Sequence, residues 1–264
     1  MSNELEIYLS DHPVFTVVGL TKALGEKIGK SQLYKRLRRL EEAGKVTSVV
    51  RGVYSVVTPG QDPQTAQPDP FLVLAALRPD VIFCGHSALE LLGTATTIWN
   101  TITGYSVGAT NTFRARNIRY KVMQLPNSSP LQPSDLIDID RSAVILQATG
   151  PELTLVEGFR HPKRVGGIEE LVKSADTFRS LDLAKLQNIL DRFQQRRLYA
   201  AVGWFISRER ERWNASATYL HALESRRPKS RVYLERGSTM SVLAKPWNLM
   251  IPRELARSED IDGF

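Results

Sequence analysis

Side chains that could bind a polyanion are concentrated on one predicted helix near the start of the chain. Leu33, Leu37 and Leu40 form its apolar stripe, and a rotation of about 100° per residue places other positions opposite or beside that stripe. Those positions are Ser31, Gln32, Tyr34, Lys35, Arg38 and Arg39. Cations and hydrogen-bond donors suit phosphate oxygens and the major-groove edges of guanine and adenine. The pattern therefore predicts a face that binds duplex DNA.

The residues before this helix predict a first helix packed against it. Leu20, Leu24 and Ile28 recur every four residues, as on one face of a helix. Thr16 is a plausible N-cap for that helix, and Ser31 is expected to cap the second one, because a hydroxyl can accept a hydrogen bond from a free backbone N–H. The spacing predicts a helix-turn-helix.

A predicted β-hairpin follows the second helix. Gly44 is expected to end the helix in a left-handed conformation. Two runs rich in β-branched residues, 46–50 and 53–57, flank Arg51 and Gly52, which is typical of a hairpin with a tight turn. Arg51 at its tip is predicted to contact the DNA backbone or minor groove, so residues 1–57 are predicted to form a winged helix. A solvated helix face or a protein-interaction module are the alternatives.

The composition favours a cytoplasmic protein with a polyanionic partner. The chain has 264 residues, a formal net charge of +7 and a sequence pI of about 9.6, which favours such a partner without proving one. No apolar run reaches membrane-spanning length, and the first residues lack the pattern of a secretion signal. Cys84 is the single cysteine and is expected to be a buried apolar residue.

The sequence predicts two domains of α+β class. Residues 58–69 carry three prolines and few apolar residues, which indicates a linker. Residues 70–264 are predicted to form a larger mixed α/β domain whose terminal half is mainly helical. Within it, a strand-like stretch contains Arg114, Arg116, Arg119 and Lys121. This stretch is either a second nucleic-acid surface or the polar face of a sheet turned to water, and the alternation of the strands favours the second interpretation.

The order of several short motifs resembles the AbiEi-type antitoxins of type IV toxin–antitoxin and abortive-infection systems. The resemblance covers nearly the whole chain. Each segment is a weak match by itself, so the resemblance depends on the order of the segments. They are the winged helix ending in 51–54, Asp69-Pro70, the segment 87–93, the segment 154–157, the segment 166–170 and the terminal segment 247–252. The family often has Asp where this chain has Glu157.

The resemblance implies a repressor that is also an antitoxin. Its N-terminal domain would bind inverted repeats in the promoter of its own operon. Its C-terminal domain would counteract a co-encoded, nucleotidyltransferase-like toxin without a stable complex between the two proteins. No membrane partner and no cofactor are implied.

Signatures of catalysis are mostly absent from the sequence. It contains no phosphate-binding loop, dinucleotide fingerprint, HExxH or CxxC motif, and four scattered histidines with one cysteine make a zinc site improbable. We therefore predict no enzyme activity, no catalytic residue and no metal. A metal-dependent nuclease with a DNA-targeting domain is the alternative from the enzyme class, and a regulator acting through a stable protein complex is another. The nuclease would draw its ligands and its lysine from Glu152, Glu157, Lys163, Glu169 and Glu170.

Overall fold

The structure is a computed structural model, and its contacts divide the chain into two compact units that are interleaved in sequence. It describes residues 2–25, 29–108, 110–125, 131–235 and 240–257. Unit 1 comprises Met1–Phe83, Trp99–Pro126 and Asp138–Ala148. Unit 2 comprises Cys84–Ile98, Asn127–Ile137 and Thr149–Phe264. The predicted division into domains at residues 58–69 stays a prediction.

The first part of unit 1, which we call the N-terminal module, combines three helices with a small sheet. Its elements are α1 (Ser2–Asp11), β1 (Val14–Thr16), α2 (Val17–Ala23), α3 (Lys30–Glu42), β2 (Val46–Val50) and β3 (Val53–Val56). The strands form an antiparallel sheet in the order β1-β3-β2. Side chains from all parts of the module form one core, including Phe15, Leu20, Leu33, Leu37 and Val46.

Local signals set most boundaries of this module. The Thr16 hydroxyl accepts a hydrogen bond from Gly19 N at 2.9 Å, so the predicted cap of α2 is confirmed. Gly44 has a φ of 68°, which confirms the left-handed end of α3. The predicted cap at Ser31 is wrong. Helix α3 begins at Lys30 with Gly29 in the capping position and no side-chain cap, because the helical conformation extends two residues further back than a Ser31 cap allows. Ile28 lies outside the described residues.

A six-stranded mixed sheet follows the N-terminal module. Asp69 caps α4 (Pro70–Leu77) by accepting hydrogen bonds from Phe71 N and Leu72 N. The strands are β4 (Ile82–Phe83), β5 (Thr101–Ser106), β6 (Asn111–Ala115), β7 (Ile118–Gln124), β8 (Leu136–Arg141) and β9 (Val144–Thr149). Their order is β6-β7-β5-β4-β9-β8, in which β5 pairs with β7 and β4 with β9 in parallel.

Unit 2 is mainly helical around a large apolar core. Its helices are α5 (His86–Leu91), α6 (Pro151–Arg160), α7 (Ile168–Ala175), α8 (Leu183–Phe193), α9 (Arg196–Arg208) and α10 (Ala217–Ser225). A small sheet of β10 (Val232–Tyr233), β11 (Ser241–Ala244) and β12 (Leu249–Pro252) has the order β10-β12-β11. In this sheet β10 and β12 run parallel, and β11 pairs antiparallel with β12.

Helices and strands are both abundant, and the α+β class is confirmed. The assignment of the N-terminal module as a winged helix stays a prediction. Among the described helices, none is both long and apolar enough to span a bilayer.

Candidate nucleic-acid interface

The six predicted binding residues of α3 lie on its exposed side. Leu33 and Leu37 are each 1% exposed and anchor the helix to the module's core. The exposed residues are Ser31, Gln32, Tyr34, Lys35, Arg38 and Arg39. The alternation of apolar and polar positions therefore positions the side chains as the sequence predicts, because one stripe must be withdrawn from water and the other remains outside. The exposed side of α3 therefore presents several cations and neutral hydrogen-bond donors to solvent.

Two glutamates at the end of α3 moderate its positive charge. Arg38 Nε donates to Glu42 Oε1 at 3.0 Å, with 81% of the arginine side chain and 62% of the glutamate side chain exposed. Glu41 instead accepts a hydrogen bond from Ser48 N at 3.1 Å, which joins α3 to β2. Glu41 therefore stabilises the contact between α3 and β2. The Arg38–Glu42 pair is exposed and weak, so another anion can readily replace Glu42 as the partner of Arg38.

Arg51 lies in the turn between β2 and β3 and is exposed. The following Gly52 has a φ of 81°, a conformation that glycine adopts readily. Its carbonyl accepts a hydrogen bond from Val17 N at 3.0 Å, so the turn is tied to the start of α2. All seven predicted residues thus belong to one module that shares a single core, six on α3 and one on the hairpin turn.

Glu152 and Glu169, two of the carboxylates considered for a nuclease, form separate ion pairs and hydrogen bonds within the fold. Glu152 accepts from Lys185 Nζ at 3.2 Å and from Asp182 N at 2.9 Å. Glu169 pairs with Lys173 on the surface of α7 at 2.6 Å. Within the described part of the chain, no group of three or more His, Cys, Asp or Glu side chains is arranged to hold a metal ion.

A buried polar network around Glu170 is the feature that the sequence did not indicate. Its carboxylate accepts hydrogen bonds from Thr96 N at 3.0 Å, Thr96 Oγ1 at 2.6 Å and Ser174 Oγ at 3.1 Å. Burial alone would raise the pKa of Glu170, but the hydrogen bonds from Thr96, Ser174 and Thr97 outweigh it and lower that pKa. His86 is fully buried beside this carboxylate, with Nε2 at 3.6 Å from Glu170 Oε1. The network joins α5 and α7 to the loop that follows α5. His86 Nδ1 also lies 2.8 Å from Glu90 Oε1, and this spacing of four residues is the one part of the network that is visible in the sequence.

Comparison with known proteins identifies the fold and leaves the function open. A crystal structure of the RV2827C protein from Mycobacterium tuberculosis matches this chain with a TM-score of 0.63 and 20% sequence identity. The match covers 95% of this chain and 90% of that chain. At this level of identity the likeness shows a shared fold alone. No protein-family model and no curated protein matches the sequence.

Proposed function

We propose that this protein is a sequence-specific DNA-binding repressor whose N-terminal module is a winged helix. The observation that carries the proposal is the outer side of α3, where cations and donors are exposed along a helix whose opposite side is fixed in a core. Helix α3 has 13 residues and is therefore about 20 Å long, which suits insertion into a major groove. Arg51 would then contact the backbone or minor groove beside it.

In this proposal Lys35, Arg38 and Arg39 contact phosphates or guanine. Ser31, Gln32 and Tyr34 contact base edges or nearby phosphates. The Ser31 hydroxyl is not used as a helix cap, since Gly29 occupies that position, and it lies exposed in the first turn of α3. The first turn of a recognition helix is the part that usually reaches base edges.

The target that we propose is an inverted repeat in the promoter of the protein's own operon. A two-fold symmetric site needs two copies of the chain, with half-sites one helical turn apart or a multiple of it. The resemblance to AbiEi-type antitoxins supports autorepression of this kind. It also supports a second role, in which the C-terminal region counteracts a co-encoded nucleotidyltransferase-like toxin without a stable complex.

The experiment compares two double variants on a duplex that carries the promoter upstream of the gene. Lys35→Gln/Arg38→Gln removes two cations from α3. Arg179→Gln/Lys229→Gln removes two exposed cations from unit 2 and is the matched control. Loss of a base contact costs about 1–3 kcal/mol, so the α3 variant should bind at least several-fold more weakly, and the control should bind as the wild type does. Equal dissociation constants for two folded variants would refute the docking of α3.

Two further assays separate the alternatives. A metal-dependent nuclease would nick plasmid DNA in the presence of Mg²⁺, and EDTA would stop the reaction. A regulator that acts through a stable complex would co-elute with its co-encoded partner in gel filtration. We expect neither result. We expect co-expression of the intact protein to relieve growth arrest by the toxin, and the Lys35→Gln/Arg38→Gln variant to keep that activity.

A further inference from the structure

The hairpin of β6 and β7 has a basic outer face, which we call the β6–β7 basic face and define by Arg114, Arg119 and Lys121. Arg114 lies directly opposite Arg119 across the two strands, and Thr112 lies opposite Lys121. All three cations are exposed. The opposite face carries Phe113 and Tyr120, whose rings stack with centroids 4.7 Å apart. The core on one side therefore holds the cations in a fixed register on the other.

This arrangement of charge is unfavourable unless an anion is present. Side chains directly opposite each other on antiparallel strands lie about 5 Å apart, and like charges in such a pair destabilise the sheet. In the described ranges of the chain, no carboxylate forms an ion pair with Arg114, Arg119 or Lys121. Thr101, which pairs with Arg119 on the other side, and Thr112 add hydroxyl donors beside the cations. A row of cations and hydroxyls with a regular spacing suits the oxygens of a phosphate backbone.

The tip of the hairpin is attached to the N-terminal module within unit 1. Arg116 has a φ of 51° in the turn between β6 and β7. Its guanidinium donates to Thr47 Oγ1 on β2 at 2.9 Å and to the Gln64 carbonyl at 3.2 Å. A strand rises about 3.3 Å per residue, so Arg114 lies about 7 Å from the tip and Arg51 about 13 Å from Thr47. With the length of the Arg116 side chain included, the two basic regions lie within about one 34 Å turn of duplex.

We propose that the β6–β7 basic face binds phosphates of the duplex that α3 engages, on the flank beside the β2–β3 hairpin. This inference rests on the proposed function. The contacts are to the backbone, so they strengthen binding to every sequence equally and extend the protected segment of DNA on that flank. They do not read bases. The six-stranded sheet thereby contributes to the affinity for DNA, while α3 supplies the specificity.

The test is the salt dependence of binding for Arg114→Gln/Arg119→Gln/Lys121→Gln. Each phosphate contact contributes about 0.9 to the slope of log K against log salt, so the removal of all three cations should reduce that slope by about 2–3. At about 0.1 M salt this corresponds to a loss of affinity of about 100- to 1,000-fold. The loss should be equal for the promoter duplex and for a scrambled duplex, and on the promoter the hydroxyl-radical footprint should shorten on the same side of each half-site. The matched control, Arg179→Gln/Lys229→Gln/Arg231→Gln, removes three exposed cations from unit 2 and should change neither quantity.

A second variant separates charge from packing. Arg114→Lys/Arg119→Lys keeps both charges, so it should keep the wild-type slope even if the shape of the face changes. The proposal is overturned if the Gln variant is folded and keeps the slope and affinity of the wild type, or if the Lys variant loses as much as the Gln variant does. If only the β6–β7 variant loses affinity and Lys35→Gln/Arg38→Gln does not, the basic face is the DNA contact and the proposed docking of α3 fails. If the wild-type protein binds no duplex, both proposals fail.

Discussion

Glu42 is the side chain whose removal should improve DNA binding. Its carboxylate holds Arg38 Nε at 3.0 Å on the exposed side of α3. If Arg38 contacts DNA, the arginine must leave this partner, and the glutamate then lies near phosphates as an unfavourable negative charge. Glu42→Gln removes the pairing and the charge and leaves the shape of the side chain. We expect the variant to bind the promoter duplex more tightly than the wild type.

The size of the effect follows from the exposure of the pair. Exposed i,i+4 pairs contribute about 0.3–0.5 kcal/mol, and here the basic residue precedes the acidic one, which is the less favourable orientation. Release from an interaction of this strength changes affinity by about a factor of two. Removal of the repulsion between Glu42 and the phosphates adds a similar amount at low salt. The expected gain is therefore about two- to five-fold, and the free energy of unfolding should change by less than about 0.5 kcal/mol.

A double-mutant cycle with fluorescence anisotropy measures this effect. Glu42→Gln is compared in the wild-type background and in Arg38→Gln, where the pair no longer exists. The gain should be smaller without Arg38, and it should decline as salt is raised. Glu211→Gln removes an exposed carboxylate from unit 2 and is the control for net charge. An equal gain from Glu211→Gln, or no gain from Glu42→Gln, would refute a DNA contact by Arg38.

Two further predictions concern the stability of unit 2. Arg192 donates two hydrogen bonds of 2.7 Å to the buried Asp135, so Asp135→Asn should lower the free energy of unfolding by about 3–5 kcal/mol and the calorimetric Tm by on the order of 10 °C. The control Glu169→Gln, on the surface, should leave the Tm nearly unchanged. Equal Tm values for the two variants would contradict this account. Burial, with Arg164 and Arg160, lowers the pKa of His161 to about 4, so the folded state favours neutral histidine and stability should fall as pH drops from about 6.5 towards 4. His161→Gln should reduce this dependence in denaturant titrations at several pH values, and an unchanged dependence would show that other groups cause it.

Elements set by neighbouring residues could be predicted from the sequence, and elements set by distant ones could not. The helix with Leu33 and Leu37 and the hairpin that turns at Gly52 need only a periodic pattern and a turn residue. The predicted cap at Ser31 was wrong because the helix already begins at Lys30, and a shift of two residues places Gly29 in the capping position. The exposure of the six polar residues on α3 was predicted correctly, because exposure follows from the helical period alone, whereas their role in DNA binding stays a prediction.

Pairings between distant parts of the chain explain the remaining differences. Strand β4 lies between β5 and β9, although β9 follows it by about 60 residues, as the register of Ile82 with Gln147 shows. The hydrogen bonds from Thr96 to Glu170 span 74 residues. Such contacts depend on the whole topology, and no local pattern contains them. The same is true of Arg116, which reads as a surface strand residue and instead joins the β6–β7 turn to Thr47.

Positive net charge alone does not identify a nucleic-acid surface in this chain, because many cations are neutralised or engaged within the fold. In unit 2, Arg192 pairs with Asp135, Arg226 pairs with Asp191, and Arg212 donates to the carbonyls of Asp176 and Phe178. These arginines satisfy acceptors within the fold, and those paired with a carboxylate add little to the electrostatic potential at the protein surface.

The cations of α3 and of the β6–β7 basic face are arranged differently. They lie on single exposed faces, at spacings fixed by a helix and by a strand register. A polyanion with regularly spaced charges can neutralise several such groups at once and release one counterion for each contact. Scattered cations, such as those in the control variants, bind counterions singly. The proposed binding of DNA therefore depends on the arrangement of the cations within unit 1 more than on their number.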